Sequence, residues 1–180
     1  GYASIVVDGD TGEVLRARNA DTRNYPASLT KMMTLYMTFE ALDDGRWTMT
    51  KRLKVSKRAV GQPPSKLGLK IGETITVKQA ILALVTKSAN DVATVLAEAL
   101  GGTEWEFAQD MTRTARSLGM KKTSFRNASG LPNRRQLSTA RDMATLALAL
   151  INQYPQHYHF FAAESFTFRG KKYGNHNNLL

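Results

Sequence analysis

The sequence predicts an α+β fold, with antiparallel strands at its two ends and a helical interior. Three observations carry that expectation. Two short strand-like runs near the start flank a tight Gly-containing turn, the middle holds a series of apolar segments with helix punctuation, and a stretch alternating around a Gly turn lies near the end. The 180 residues are 42% hydrophobic and 22% charged, which describes one globular domain, or at most two units, with a sizeable core. No apolar run is long enough to cross a bilayer.

Each element follows from local chemistry. Ala3-Ser4-Ile5-Val6-Val7 reads as a strand, Asp8-Gly9-Asp10-Thr11-Gly12 as a tight turn, and Glu13–Ala17 as the returning strand of a β-hairpin. After Pro26 a helix is predicted over 28–42, with Met32, Leu35, Met37, Phe39 and Leu42 as its apolar faces and Asp43-Asp44-Gly45 as its stop. Gly61, Pro63, Pro64, Gly68 and Gly72 break residues 46–76 into short pieces. Val77–Thr86 and Asp91–Leu100 read as helices, the second stopped by Gly101-Gly102, and Glu104–Leu118 as a third, closed by Gly119. A polar loop over 123–138 surrounds Ser129-Gly130-Leu131-Pro132 and leads into a helix over Thr139–Ile151. Phe166–Tyr173 alternates about Gly170, as a small hairpin does. No internal repeat, low-complexity tract or linker interrupts the chain.

Composition narrows the function classes. With no cysteine, disulfides and Cys-ligated zinc are excluded. The opening Gly1-Tyr2-Ala3-Ser4 has neither the basic nor the apolar region of a signal peptide, which leaves earlier removal of one open. The net charge of +10 attracts nucleic acid, anionic membrane or an anionic wall polymer. The densest basic run, Lys51, Arg52, Lys54, Lys57 and Arg58, lacks interleaved aromatics, so a solvated face is expected and no nucleic-acid partner. His157-Tyr158-His159 offers two ligands on a strand but no third nearby; surface histidines are expected, and no metal.

Chemistry concentrates at two short strings. Ser28-Leu29-Thr30-Lys31 sets a hydroxyl and an amine three residues apart at a helix start, on one helical face. The helix N-terminus offers N–H groups and partial positive charge where an acyl oxyanion would form. To take the serine proton the lysine must be neutral. Bringing its pKa from about 10.4 to near 7 corresponds to about 4.6 kcal/mol of differential interaction. An N-cap serine beside an exposed lysine gives the same four letters. Lys87-Ser88-Ala89-Asn90-Asp91 lies between two apolar helices. There Ser88 could relay a proton, and Asn90 could hold the lysine or a substrate amide; a helix cap before Val92 is the alternative. Ser-x-x-Lys and Ser-x-Asn each occur once, with sixty residues between the serines.

These strings resemble the first two signatures of the penicillin-binding and serine β-lactamase superfamily. Longer strings resemble the low-molecular-mass D-alanyl-D-alanine carboxypeptidases (peptidase family S11): Tyr25-Pro26-Ala27-Ser28-Leu29-Thr30-Lys31-Met32-Met33-Thr34, Val85-Thr86-Lys87-Ser88-Ala89-Asn90-Asp91, Phe125-Arg126-Asn127-Ala128-Ser129-Gly130-Leu131-Pro132 and Ser138-Thr139-Ala140-Arg141-Asp142. The resemblance runs to Asn175-His176-Asn177, essentially the whole chain. It implies a β-lactamase/DD-peptidase-like α/β sandwich, an antiparallel sheet with a helical subdomain. It also implies that Ser28 is acylated by a peptidyl-D-Ala-D-Ala donor, with Lys31 as base, Ser88 as a catalytic relay, and Asn90 and His176 on the substrate side. The backbone N–H of Ser28 would form half of the oxyanion hole. The implied partners are peptidoglycan pentapeptide and β-lactam inhibitors, with no metal or organic cofactor, in the bacterial periplasm or on the outer face of the cytoplasmic membrane.

The family's third signature, Lys-Thr-Gly on an inner strand, is missing. Lys122-Thr123-Ser124 is a near match in a position that reads as loop. Residues 1–180 are therefore expected to be an incomplete DD-peptidase catalytic domain, an N-terminal hairpin plus helical subdomain without its C-terminal sheet strands. A C-terminal remainder of the same protein is expected to carry Lys-Thr-Gly. A serine β-lactamase and a non-catalytic wall-binding module of the same fold are the rival readings. The first lacks the Glu-x-x-Leu-Asn string used for deacylation in class A members and has Ala89 where they usually carry Asp. The second is opposed by intact Ser28, Lys31, Ser88 and Asn90.

Overall fold

The computed structural model describes residues 2–175. In chain order the elements are β1 (Ser4–Val7), β2 (Val14–Arg18), α1 (Thr30–Asp43), β3 (Arg52–Lys54), α2 (Lys57–Val60), β4 (Thr74–Thr76), α3 (Val77–Lys87), α4 (Asn90–Gly101), α5 (Glu104–Ser117), α6 (Ala140–Gln153), β5 (Ser165–Phe168) and β6 (Lys171–Gly174). Two 3-10 turns, Ala27–Leu29 and Tyr158–Ala162, complete the set among the described residues.

Two helices form the centre. α1 buries ten of its fourteen residues and α4 buries its first eight, Asn90 to Ala97, so both are enclosed on nearly every side. The helices around them bury a single stripe. Val77, Ala80, Ile81 and Leu84 on α3, Phe107, Met111 and Ala115 on α5, and Met143, Leu146 and Leu150 on α6 recur at three- and four-residue spacing and face inward. Phe39, Phe107, Phe125, Met33 and Leu96 are among the largest side chains wholly removed from water.

Helix starts are fixed by side-chain caps. Ser56, Thr76, Thr103 and Thr139 each accept a hydrogen bond from the backbone N–H three residues on, and Thr76 with Gln79 closes a full capping box. The predicted helices are present with boundaries moved by a residue or two. At 28–42 a 3-10 turn precedes the α-helix proper.

The strands form three separate antiparallel pairs among the described residues. β1 pairs with β2 (Ile5 opposite Ala17), with a bulge at Val6/Val7, and β1 packs on α6. β5 pairs with β6 (Phe166 opposite Tyr173) and lies on α3. The third pair corrects the expectation of strands only at the two ends. β3 and β4 pair inside the segment read as broken pieces, with Leu53 opposite Ile75, both buried. Each strand is three residues long with a single apolar residue, too short for alternation to register.

Candidate active site

Ser28 lies in the 3-10 turn that leads into α1, exposed to solvent, and Lys31 follows in the first turn of the helix. The helix start has no side-chain cap, so Ser28 is not serving as one. Lys31 is not an exposed lysine either: only 6% of its surface reaches water. Burial pulls its pKa down to about 8. Its Nζ donates to the Oδ1 of Asn90 at 2.9 Å and to the carbonyl oxygen of Ser129 at 2.7 Å.

The second string is arranged around that amine. Ser88 ends α3 in the left-handed region (φ 55°), half-buried, with its N–H donating to the Leu84 carbonyl at 3.2 Å. A single left-handed residue reverses the chain between two helices, so Asn90 can begin α4 facing α1. The cap of α4 is Ala89, without a side-chain bond, so helix capping does not account for Ser88 or Asn90. The Asn90 Nδ2 donates to the Pro63 carbonyl at 2.9 Å, which fixes the amide with its oxygen toward Lys31. The Asn90 N–H donates to the Ser65 carbonyl at 2.8 Å. Asp91, wholly buried, accepts from the N–H groups of Leu67, Gly68 and Leu69 at 2.9, 2.9 and 3.0 Å, binding that connection to α4.

The third wall is the loop around Ser129-Gly130. Thr34 Oγ1 donates to the Ala128 carbonyl at 2.8 Å, and the Ala128 N–H donates to the buried Glu104 carboxylate at 3.2 Å. Glu104 also pairs with Arg58 at 2.8 Å, so α2, α5 and the loop meet at one carboxylate. Gly130 is required twice over. Its φ is +90°, and a Cβ there would stand 1.8 Å from the carbonyl oxygen of Ala27. Gly130 thus lies directly against the peptide that carries Ser28, and Ala27 itself is left-handed (φ 50°).

Among the predicted site residues, the structure brings Lys31 and Asn90 into direct contact, with Ser28 one turn before the lysine and Ser88 two residues before the asparagine. His176 lies outside the described residues. Sequence reasoning missed the carbonyls of Ser129, Pro63 and Ser65, the contact of Gly130 and the support from Thr34 and Glu104. The string Ser129-Gly130-Leu131 was the one available signal. Lys122-Thr123-Ser124 is a structural loop. Thr123 is buried, its hydroxyl 2.7 Å from Asp142 and 2.8 Å from Ser138 Oγ. The surface assignment for the histidine pair needs one correction. His159 is exposed, but His157 stacks on Phe39 with ring centroids 4.9 Å apart and meets Asp43 at 3.0 Å. Both lie in a turn and 3-10 segment, not on a strand. No cluster of three or more His, Asp or Glu suited to a metal occurs among the described residues.

This geometry suits proton transfer from a hydroxyl. A neutral amine has two N–H bonds and one lone pair. Both acceptors here take N–H bonds, which leaves the lone pair for a third direction. At pKa about 8 roughly a tenth of the amine is neutral at pH 7.

Known proteins share the fold and part of the sequence. The family model for D-alanyl-D-alanine carboxypeptidase matches residues 2–180. The D-alanyl-D-alanine carboxypeptidase DacF of Bacillus subtilis is 38% identical over 149 residues, 83% of this chain and 38% of that protein. Penicillin-binding protein 6B of Escherichia coli superposes with a TM-score of 0.92 at 32% identity, covering 99% of this chain and 58% of that one. Penicillin-binding protein D2 of Listeria monocytogenes, solved with ampicillin bound, superposes at 0.86 with 31% identity, covering 99% and 73%. The chain spans less than half the length of the curated relatives it matches. With a family model matched from Tyr2 to Leu180 and a penicillin-binding fold, the chain belongs to the D-alanyl-D-alanine carboxypeptidase family.

Proposed function

We propose that this chain supplies the acylating machinery of a serine-type D-Ala-D-Ala carboxypeptidase acting on peptidoglycan pentapeptide. The carrying observation is the buried amine of Lys31, held by Asn90 and the Ser129 carbonyl one helical turn from Ser28. In this reading Lys31 takes the Ser28 proton as the hydroxyl attacks the carbonyl of the penultimate D-alanine. The developing oxyanion meets the N–H of Ser28 and the positive end of α1. The proton passes to the leaving D-alanine amine, with the Ser88 hydroxyl as relay, and water then hydrolyses the acyl-enzyme. Asn90 holds both the lysine and the stem peptide, and His176 belongs to the substrate side.

β-Lactams enter the same step and stay as the acyl-enzyme. A segment carrying Lys-Thr-Gly, from the remainder of the same protein, completes the substrate cleft and the second oxyanion donor. The substrate sets the location: the bacterial periplasm or the outer face of the cytoplasmic membrane. No helix among the described residues is long and apolar enough to cross a membrane.

Labelling with a fluorescent penicillin tests the reading. A covalent band in the complete protein that disappears in Ser28→Ala is expected. A band that persists in Ser28→Ala sinks the assignment. Rapid β-lactam turnover in place of a stable adduct would favour a serine β-lactamase.

A further inference from the structure

The loop that supports Ser28 carries a second feature. An open groove of about 610 Å³ is lined by Trp105, Arg126, Asn133, Arg134 and Arg135. That volume suits one or two saccharide rings. Trp105, in the first turn of α5, leaves 66% of its surface in water, whereas Trp47 is buried at 7%. An indole contributes stability by burial, so one left exposed beside a cavity contributes little to this core.

The three guanidiniums lack acidic partners. Arg46, Arg58, Arg113, Arg141 and Arg169 each pair with a carboxylate, while Arg126, Arg134 and Arg135 take part in no ion pair among the described residues. The acids beside Trp105 are engaged elsewhere, Glu104 with Arg58 and the Ala128 N–H, and Glu106 with Thr103. The groove therefore presents three positive charges and an aromatic face, with no carboxylate in its lining.

The support is rigid. The buried Gln136 accepts from the N–H groups of Arg126 and Asn127 at 2.9 and 3.1 Å, and Asn133 Oδ1 accepts from the Arg135 N–H at 2.9 Å. The Arg126 and Arg135 backbones are thus tied in place before any ligand arrives, which lowers the ordering cost of binding.

We infer that this groove binds a carboxylate-bearing glycan strand, with a sugar ring stacked on Trp105 and its acidic substituents gripped by Arg126, Arg134 and Arg135. Guanidinium forks match carboxylates two bonds at a time, and an indole face takes the apolar side of a sugar ring. The choice of a wall glycan as occupant rests on the peptidoglycan reading above. The groove's three arginines and Gly130, which packs on the Ala27 peptide, belong to the same loop.

Fluorescence titration of the complete protein tests this. The probes are a tetrasaccharide of alternating N-acetylglucosamine and N-acetylmuramic acid with free lactyl carboxylates, its neutral counterpart chitotetraose, and poly(glycerol phosphate). The acidic tetrasaccharide should perturb Trp105 emission and bind at least tenfold tighter than chitotetraose. Trp105→Ala and the pair Arg134→Ser with Arg135→Ser should each weaken it tenfold or more while leaving fluorescent-penicillin labelling intact. Unchanged affinity in those variants, equal binding of chitotetraose, or equal binding of poly(glycerol phosphate) overturns the inference. Penicillin labelling separates the two claims: its absence in the unmodified protein counts against the Ser28 reading, and the glycan titration stands or falls by its own result.

Discussion

Lys31 is where the energetic cost of the site concentrates. Holding its pKa near 8, from 10.5, costs about 3 kcal/mol of folding stability at neutral pH, because the unfolded chain binds the proton more tightly than the folded one. The folded pKa is depressed, so stability rises with pH between about 8 and 10.5, over the window in which the unfolded lysine alone stays protonated. In the proposed mechanism, acylation follows the neutral amine. The second-order rate of penicillin acylation is expected to climb about tenfold per unit below pH 8 and to level off above it. A stopped-flow pH series measures this, and a flat profile from pH 6 to 9 would remove Lys31 as the base. Gly130 gives a sharper test. Gly130→Ala drives a methyl into the Ala27 carbonyl and strains a φ of +90°. We expect acylation to fall by at least a hundredfold as the Ser28 peptide shifts, with the Lys31 pKa little changed. Rate against pH separates the two effects, since the plateau should drop without moving its midpoint.

At the scale of elements, the site depends on two connections docked onto helices by buried carboxylates. Asp91 gathers three N–H groups from residues 67–69, and Glu104 joins α2, α5 and the N–H of Ala128. Asp91→Ala leaves those three donors without their acceptor, at a cost of about 2–4 kcal/mol. A Tm fall of roughly 5–15 °C follows for a domain of this size, and calorimetry measures it. Since Asn90 hangs from the same connection through Pro63 and Ser65, acylation should fall as well. The helices that frame these connections were legible in the sequence, because apolar stripes and Ser or Thr caps write themselves into the letters at fixed spacing. Ser28, Lys31, Ser88 and Asn90 could be picked out as candidates too, because their side chains carry the relevant chemistry, and the structure brings Lys31 and Asn90 into contact. What stayed hidden was the backbone's share. Every residue has a carbonyl, and only the folded chain selects those of Ser129, Pro63 and Ser65 to receive bonds at the site. β3 and β4 were hidden for another reason. Their pairing joins residues twenty or more positions apart, and neither strand is long enough to announce itself.

For the molecule as a whole, charge and exposed apolar surface set how it meets others. The net charge of +10 keeps copies apart in low salt and attracts anionic polymers. The terminal hairpin works against that repulsion. All five residues of β2 are exposed, Val14 at 42% and Leu15 at 60%, and β1 is its one pairing partner among the described residues. Such an edge offers free N–H and C=O groups beside apolar side chains, which favours strand addition. Arg16 and Arg18 interrupt the apolar run and oppose addition in low salt, but their repulsion is screened over about 8 Å at physiological ionic strength. The 180-residue chain in isolation is therefore expected to self-associate as salt is raised from 20 to 300 mM, the reverse of a contact held by charge. Leu15→Lys should restore the monomer at 300 mM without lowering folding stability by more than about 1 kcal/mol, since the side chain is already largely in water. Sedimentation velocity distinguishes the outcomes: a chain that stays monomeric at high salt, or a Leu15→Lys variant that still associates, places the contact elsewhere than β2.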